Sequence, residues 1–188
     1  MSTGLKTVIV SAFPGCGKTY MVQNRDKHPI QLYGTKRICI CRDSDSSKYP
    51  RTSDRYQRYV DDIEDRIGDY DIIFISQQDE LRQELQKRNI PFIVVGPNQS
   101  PWLNEKERML IKQQWFGRFL LRDNSHIYDI DSWMTSLKEN WDEWTSPDHY
   151  AEYGAKDVIT LKADQYLSDI WGDIYWRSQT LEGYSAFK

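Results

Sequence analysis

The sequence predicts a three-layer α/β domain built on a five-stranded, mainly parallel sheet. Three observations carry that prediction. Short β-branched runs alternate with stretches of helical periodicity, the order that yields parallel strands with crossovers on the sheet faces. The first run passes directly into a glycine-rich turn and then a helix start, in "TVIVSAFPGCGKTY" (Thr7–Tyr20). The 188 residues contain no internal repeat, low-complexity block or sign of a second domain, which suits a single core.

The elements follow in order. Lys6–Ala12 is a compact first strand, and Lys36–Arg42 ("KRICICR") is the second. Arg55–Ile67 places Tyr56, Tyr59, Val60, Ile63 and Ile67 at helical spacing. Tyr70–Ser76 is a strand of the fully buried type. Asp79–Arg88 is a good helix former with Leu81 and Leu85 four apart. Ile90–Gly96 is the fourth strand, with Pro91 confined to its opening residues. After Pro97 the pattern changes. Asn104–Arg122 reads as a long helix rich in Lys and Arg. Asp129–Trp144 reads as another, with Trp133, Leu137, Trp141 and Trp144 on one face, a stripe expected to be core. Lys156–Lys162 is the fifth strand and Ala163–Trp171 a closing helix, followed by a polar and aromatic end. The expected organisation is one domain over 1–188, with its core in 5–100 and 150–172 and a helical, lid-like segment over 103–146.

Charge and cysteine usage narrow the function classes. Lys and Arg number 25 against 28 Asp and Glu, a net charge of −3, with no basic tail or block. Wrapping a nucleic-acid duplex is therefore disfavoured, because such binding is driven by neutralising phosphates. A local basic pocket for a small polyphosphate stays open. Cys16, Cys39 and Cys41 are an odd number without secreted-type spacing, which points to a reducing compartment. No cleavable leader pattern and no membrane-length apolar run is present, so the expectation is a cytoplasmic protein without a membrane partner. The sequence leaves the oligomeric state open, a homodimer included.

The most informative stretch is Ala12-Phe13-Pro14-Gly15-Cys16-Gly17-Lys18-Thr19. It fits the phosphate-loop pattern G-x-x-x-x-G-K-[ST] except at its first position, where Ala12 need only be small. Gly15 and Gly17 allow the backbone to turn N–H groups around phosphate oxygens, and the following helix points its N-terminus at the same anion. Pro14 to Tyr20 are the expected nucleotide-binding residues. Lys18 is assigned to the β- and γ-phosphates, and the Thr19 hydroxyl to Mg²⁺.

The usual magnesium-holding acid at the end of a buried strand is missing from the third strand, which ends in Ser76-Gln77-Gln78; Asp69 and Asp71 stand at its other end. The second strand instead runs into "RDSDSSKYP". Asp43 and Asp45 are the candidate acids, one to take or orient the proton of an attacking hydroxyl and the other to help hold Mg²⁺. Asp43, nearest the strand, is the preferred base and also a candidate metal ligand. Ser46, Ser47 and Lys48 are candidate acceptor-binding residues. Arg55 and Tyr56, opening the next helix, are candidates for a nucleotide phosphate and base. Arg118 and Arg122 lie four apart on one helix face and are the candidate lid arginines that stabilise charge on a transferring phosphoryl group. Nothing marks His28, His126 or His149 as ligands or bases.

Together "SAFPGCGKT", "RDSDSSKYP", "YDIIFISQQDELRQEL…NIPFIVVGP", "W–GR–LLRDN" with "ENWDEW", and "ITLKADQYLSDIW" make the chain resemble the phage- and prophage-encoded P-loop nucleotide kinases, relatives in fold of the nucleoside and deoxynucleoside monophosphate kinases. The resemblance spans residues 7 to 171. It implies strand order 2-3-1-4-5, ATP as phosphoryl donor, Mg²⁺, and a nucleotide acceptor. It also implies donor binding by Gly15–Thr19, an acceptor site at Asp43–Lys48 and a lid at Arg118 and Arg122. If the source is a phage, the compartment is the host cytoplasm. The chain departs from the family's Ser-Ser-His after the third strand, having Gln77 and Gln78 there, and its loop from Tyr49 to Arg55 is shorter. The leading expectation is phosphoryl transfer to a (deoxy)nucleoside monophosphate. The alternatives are a polynucleotide or modified-base DNA kinase, and a non-catalytic nucleotide-binding regulatory protein.

Overall fold

The computed structural model describes residues 7–32, 35–44, 46–121 and 130–180, without the side chains of 30–32, 35–37 and 47. Five parallel strands form the sheet: β1 (Val8–Ala12), β2 (Cys41–Asp43), β3 (Ile72–Ile75), β4 (Ile93–Pro97) and β5 (Asp157–Leu161). They lie in the order β2-β3-β1-β4-β5, as expected, with helices on both faces. The register pairs Val10 with both Phe74 and Ile93, and Val95 with Ile159. Every residue of β1, β3 and β4 is buried, which is why these strands read as unbroken apolar runs rather than alternating ones. Edge strand β5 is mostly half-buried.

The helices are α1 (Lys18–Gln23), α2 (Arg55–Glu64), α3 (Asp79–Lys87), α4 (Glu105–Leu121), α5 (Ile130–Glu139), α6 (Trp141–Trp144), α7 (Pro147–Ala151) and α8 (Leu167–Thr180). Helix α2 buries Tyr59, Val60 and Ile63, and α3 buries Leu81 and Leu85, the i, i+4 stripes visible in the sequence. Arg88, just past α3, ties the two helices together: its Nη1 lies 2.6 Å from Asp61 and its Nε 3.0 Å from Glu84.

Three expectations need correction. The run Lys36–Arg42 is not one strand. Thr35–Arg37 pairs antiparallel with Ile30–Leu32 in a separate small hairpin, and only Cys41–Asp43 joins the main sheet. Cys39 and Cys41 are both buried, but Cys39 lies outside either strand. The helix expected over Asp129–Trp144 breaks at Asn140, whose side-chain amide donates to the Ser136 carbonyl at 2.8 Å and whose backbone leaves helical geometry (φ −103°, ψ 11°). The closing helix starts at Leu167 rather than Ala163, because Ala163 and Asp164 are taken up in a turn closed by Gln165 N on Lys162 O (3.2 Å), and it runs on to Thr180. Helix α7 was not foreseen. Ser146 caps it, its hydroxyl accepting from His149 N at 3.1 Å, with Pro147 at the first position.

Helix α7 docks on α3 through a buried arginine. Arg82 is fully buried; its guanidinium donates to Asp79 (2.6 Å), to the His149 carbonyl (3.0 Å) and to His149 Nε2 (2.9 Å), and lies over the Tyr153 ring. Burial, and then the charge of Arg82, hold the His149 pKa below its usual 6.5. The ring is thus neutral, with Nε2 accepting from Arg82 and the proton on Nδ1, 3.5 Å from Glu152.

Two tests follow from this packing. A group whose folded pKa is depressed binds its proton more readily when unfolded, so the contribution of His149 is complete above pH 6.5 and is lost as pH falls through the folded value. The melting temperature should therefore fall more steeply from pH 7 to 5 in the wild type than in His149→Gln; parallel pH–Tm curves would refute the joint. A Cβ at Gly96 would sit 2.5 Å from Cζ of the fully buried Tyr150, whose hydroxyl donates to Pro97 O at 3.3 Å. Gly96→Ala should destabilise the protein by about 2 kcal/mol, with thermal unfolding as the measure.

Candidate active site

The phosphate loop hangs between the C-terminal end of β1 and the first turn of α1. Gly15 and Gly17 take positive φ (83° and 95°), the conformation in which successive N–H groups converge on one side. The opposite, carbonyl side is held by protein. Lys18 Nζ donates to Ala12 O (2.8 Å), Cys16 N to Phe13 O (3.2 Å), Trp115 Nε1 to Pro14 O (3.0 Å), Arg118 Nη1 to Gly15 O (3.4 Å) and Leu167 N to Cys16 O (2.9 Å). Phe13 N in turn donates to Val95 O at 2.8 Å, fixing the loop to β4. Cys16 turns inward, fully buried, with Sγ 3.7 Å from Val95 O; burial pushes its thiol up to about 12. The other loop residues, Pro14, Gly15, Gly17, Lys18, Thr19 and Tyr20, line a cleft.

Thr19 and Asp43 meet across that cleft, the hydroxyl donating to Oδ2 at 2.8 Å. The acid therefore comes from the end of β2, two strands from the loop, and not from β3. Tyr59 of α2 fixes this geometry. Its buried hydroxyl donates to the Ser44 carbonyl, next to Asp43, and accepts from Ser76 N at the end of β3 (3.4 Å). Tyr49 stacks on Tyr59 (4.5 Å between ring centres) and donates to Asp62 at 2.9 Å. Arg42 reaches the same Asp62 oxygen at 2.7 Å. The acid-bearing loop is thus braced on α2.

The remaining predicted residues divide. Arg55 lines the cleft, donates to the Ser46 carbonyl at 2.7 Å and lies over the Tyr56 ring. Ser46 and Tyr56 line the cleft as well. Lys48 is exposed on the turn Ser46–Lys48 and is not part of the cleft wall. Asp45, Arg122, His126 and the Ser47 side chain lie outside the described residues. Arg118 sits between two rings, its Cζ 3.9 Å from the centres of both Trp115 and Tyr166, and donates to the carbonyls of Ala163 (2.6 Å) and Gln165 (2.8 Å) besides Gly15. Burial lowers its pKa from the usual value.

Several cleft residues were not singled out in the sequence. Tyr166 covers Arg118 from the start of α8, and Asp79 and His149 line the wall beyond Ser76, beside Gln77, which the sequence had marked only as a departure from the family pattern. Trp133 and Trp144, expected as core, pack against it but are half-buried and face the cleft; Leu137 is buried at the cleft floor and Trp141 is fully core. Only Ser146-Pro147, a capping signal before His149, was readable beforehand. The cleft volume of 1790 Å³ exceeds the roughly 300–1,000 Å³ of a site for one small ligand.

Among the described residues, no helix is long and apolar enough to cross a membrane. No curated protein and no solved structure matches the chain. Residues 8–101, half of the chain, match the family model of the viral superfamily 1 RNA helicase core domain. The matched part runs from β1 through β4, carrying the phosphate loop, the Thr19–Asp43 pair and the strand order around them, and stops before α4. With its parallel sheet and its glycine-rich loop between β1 and α1, the chain belongs to the family of the viral superfamily 1 RNA helicase core domain, a P-loop NTPase-like fold.

Proposed function

We propose that the protein transfers the γ-phosphoryl group of ATP to a nucleotide, a (deoxy)nucleoside monophosphate in the leading reading. The observation that carries it is the Thr19–Asp43 pair at 2.8 Å, opening on a cleft larger than one nucleotide needs. An NTPase that only hydrolyses ATP needs room for water beside the γ-phosphate. A cleft extending past Asp43 to Arg55, Tyr56 and Gln77 offers room for a second substrate.

The residues fit Mg²⁺: a hydroxyl and a carboxylate are hard oxygen donors of the kind that cation takes. When bound, Mg²⁺ neutralises charge on the β- and γ-phosphates. The chain's own residues do the rest. The loop's N–H face receives the donor phosphates, and Lys18 turns from Ala12 O to a phosphate oxygen. Asp43 orients the attacking oxygen and accepts its proton where it carries one. That oxygen forms a bond to the γ-phosphorus while the bridge to the β-phosphate breaks, and ADP leaves. Arg118, held by backbone carbonyls, positions the loop and the α4–α8 contact. Catalysis on this reading is mainly alignment and charge stabilisation.

The helicase-core match favours a second reading, ATP hydrolysis coupled to RNA. The net charge of −3 weighs against a phosphate-tracking surface. A polynucleotide acceptor is a third outcome of the same experiment.

ADP and phosphate release should be followed with each monophosphate, with single-stranded DNA or RNA, and with ATP alone. Turnover dependent on a monophosphate, with ADP and a diphosphate formed one to one, is the expected result. RNA-stimulated phosphate release would replace it with the motor reading, and a labelled oligonucleotide with the polynucleotide one. Lys18→Ala should lower kcat/KM by on the order of a thousandfold or more. Asp43→Asn should lower kcat by about a hundredfold and raise the Mg²⁺ concentration needed for half activity. Normal turnover in either variant would remove that residue from the mechanism.

A further inference from the structure

The wall of the cleft beyond β3 holds an unmet hydrogen-bonding group. Both polar atoms of the Gln77 amide are withdrawn from water and have no partner among the described residues, although Gln77 lines the cleft. Its neighbours are provided for. Ser76 N donates to Tyr59, Ser76 Oγ to Gln78 Oε1 (3.3 Å), and Asp79 accepts from Arg82 (2.6 Å). A buried primary amide with no bond made is rare in a folded protein and asks for an explanation. A structural role would give it a protein partner, as Asn140 has in Ser136 O.

Its position supplies the explanation. Gln77 follows β3, the strand between the acid-bearing β2 and the phosphate-loop strand β1, so it lies at the same sheet edge as the Thr19–Asp43 pair and lines the same cleft. The contacts of Arg82 and Asp79 with His149 bring α7 against this wall, and Trp144, half-buried just before α7, lines the same cleft. An amide offers a donor and an acceptor side by side, the pattern of a nucleobase edge; an indole offers a face on which a base stacks. Turning the Gln77 amide toward a ligand would break no hydrogen bond among the described residues.

We infer that Gln77 reads the base of the acceptor nucleotide, pairing its amide with the base edge, with the Trp144 ring beneath. The inference rests on the proposed nucleotide acceptor and names the residue that sets its base preference. Gln77→Leu keeps the size and removes the amide; Gln77→Glu keeps the acceptor and replaces the NH₂ donor. Steady-state kinetics of the intact protein with the monophosphates of adenine, guanine, cytosine and thymine tests both. In Gln77→Leu, KM for the preferred monophosphate should rise about ten- to a hundredfold and discrimination among bases should shrink, while KM for ATP stays unchanged. Gln77→Glu should move the preference toward the amino-bearing bases, adenine, cytosine and guanine, and away from thymine. A base profile unchanged in both variants, with wild-type turnover intact, overturns the inference alone. An equal loss for all four bases and for ATP assigns Gln77 a structural role and likewise overturns it. No wild-type turnover of any monophosphate defeats the proposed function itself, whatever the variants do.

Discussion

The site depends on one constraint: the carbonyl groups of the phosphate loop are all committed to protein. From Ala12 to Cys16 each backbone oxygen accepts a hydrogen bond, from Lys18, Cys16 N, Trp115, Arg118 and Leu167 N in turn. A tight loop with buried polar groups must satisfy them somewhere. Here they are satisfied on the outside of the curve, so the inner side is left to N–H groups. Apart from Cys16 N, which belongs to the loop, the donors come from α1, α4 and α8. Three elements far apart in the sequence are therefore recruited to hold these five residues in the one shape that attracts an anion.

The Arg118 guanidinium is the hub of this arrangement. It lies between the Trp115 and Tyr166 rings and bonds to carbonyls on both the loop and the β5–α8 connection. A planar cation does this where an ammonium would not, because it stacks and donates in one plane. Helix α4 is consequently fastened to the nucleotide loop at its C-terminal part. Gly15 is hemmed in by the same helix, since a Cβ there would come within 3.0 Å of the Phe119 ring. The glycine answers two demands at once, a positive φ and the lack of space.

Much of the fold was legible because local pattern and tertiary role agreed. β1, β3 and β4 are buried on both faces and read as unbroken apolar runs; α2 and α3 are buried on one stripe and read as periodic. Legibility failed where the backbone changed partner without changing composition. "KRICICR" is uniformly strand-like, yet its ends pair with different sheets. The stripe of Trp133, Leu137 and Trp141 continues through Asn140, where the helix stops. In the site, the loop itself was readable because its chemistry is set by adjacent residues. The Thr19–Asp43 distance, the bracing of Ser44 by Tyr59 and the seat of Arg118 were not, since each is a through-space meeting of residues at least 15 positions apart.

Cys16 gives the loop a property of another kind. A thiol inside a nucleotide loop would ordinarily be a point of chemical attack, because the nearby Lys18 and Arg118 charges favour the reactive thiolate. Burial outweighs both and keeps the proton on sulfur well above neutral pH. The one thiol of the loop is therefore kept away from solvent in its protonated, weakly nucleophilic form.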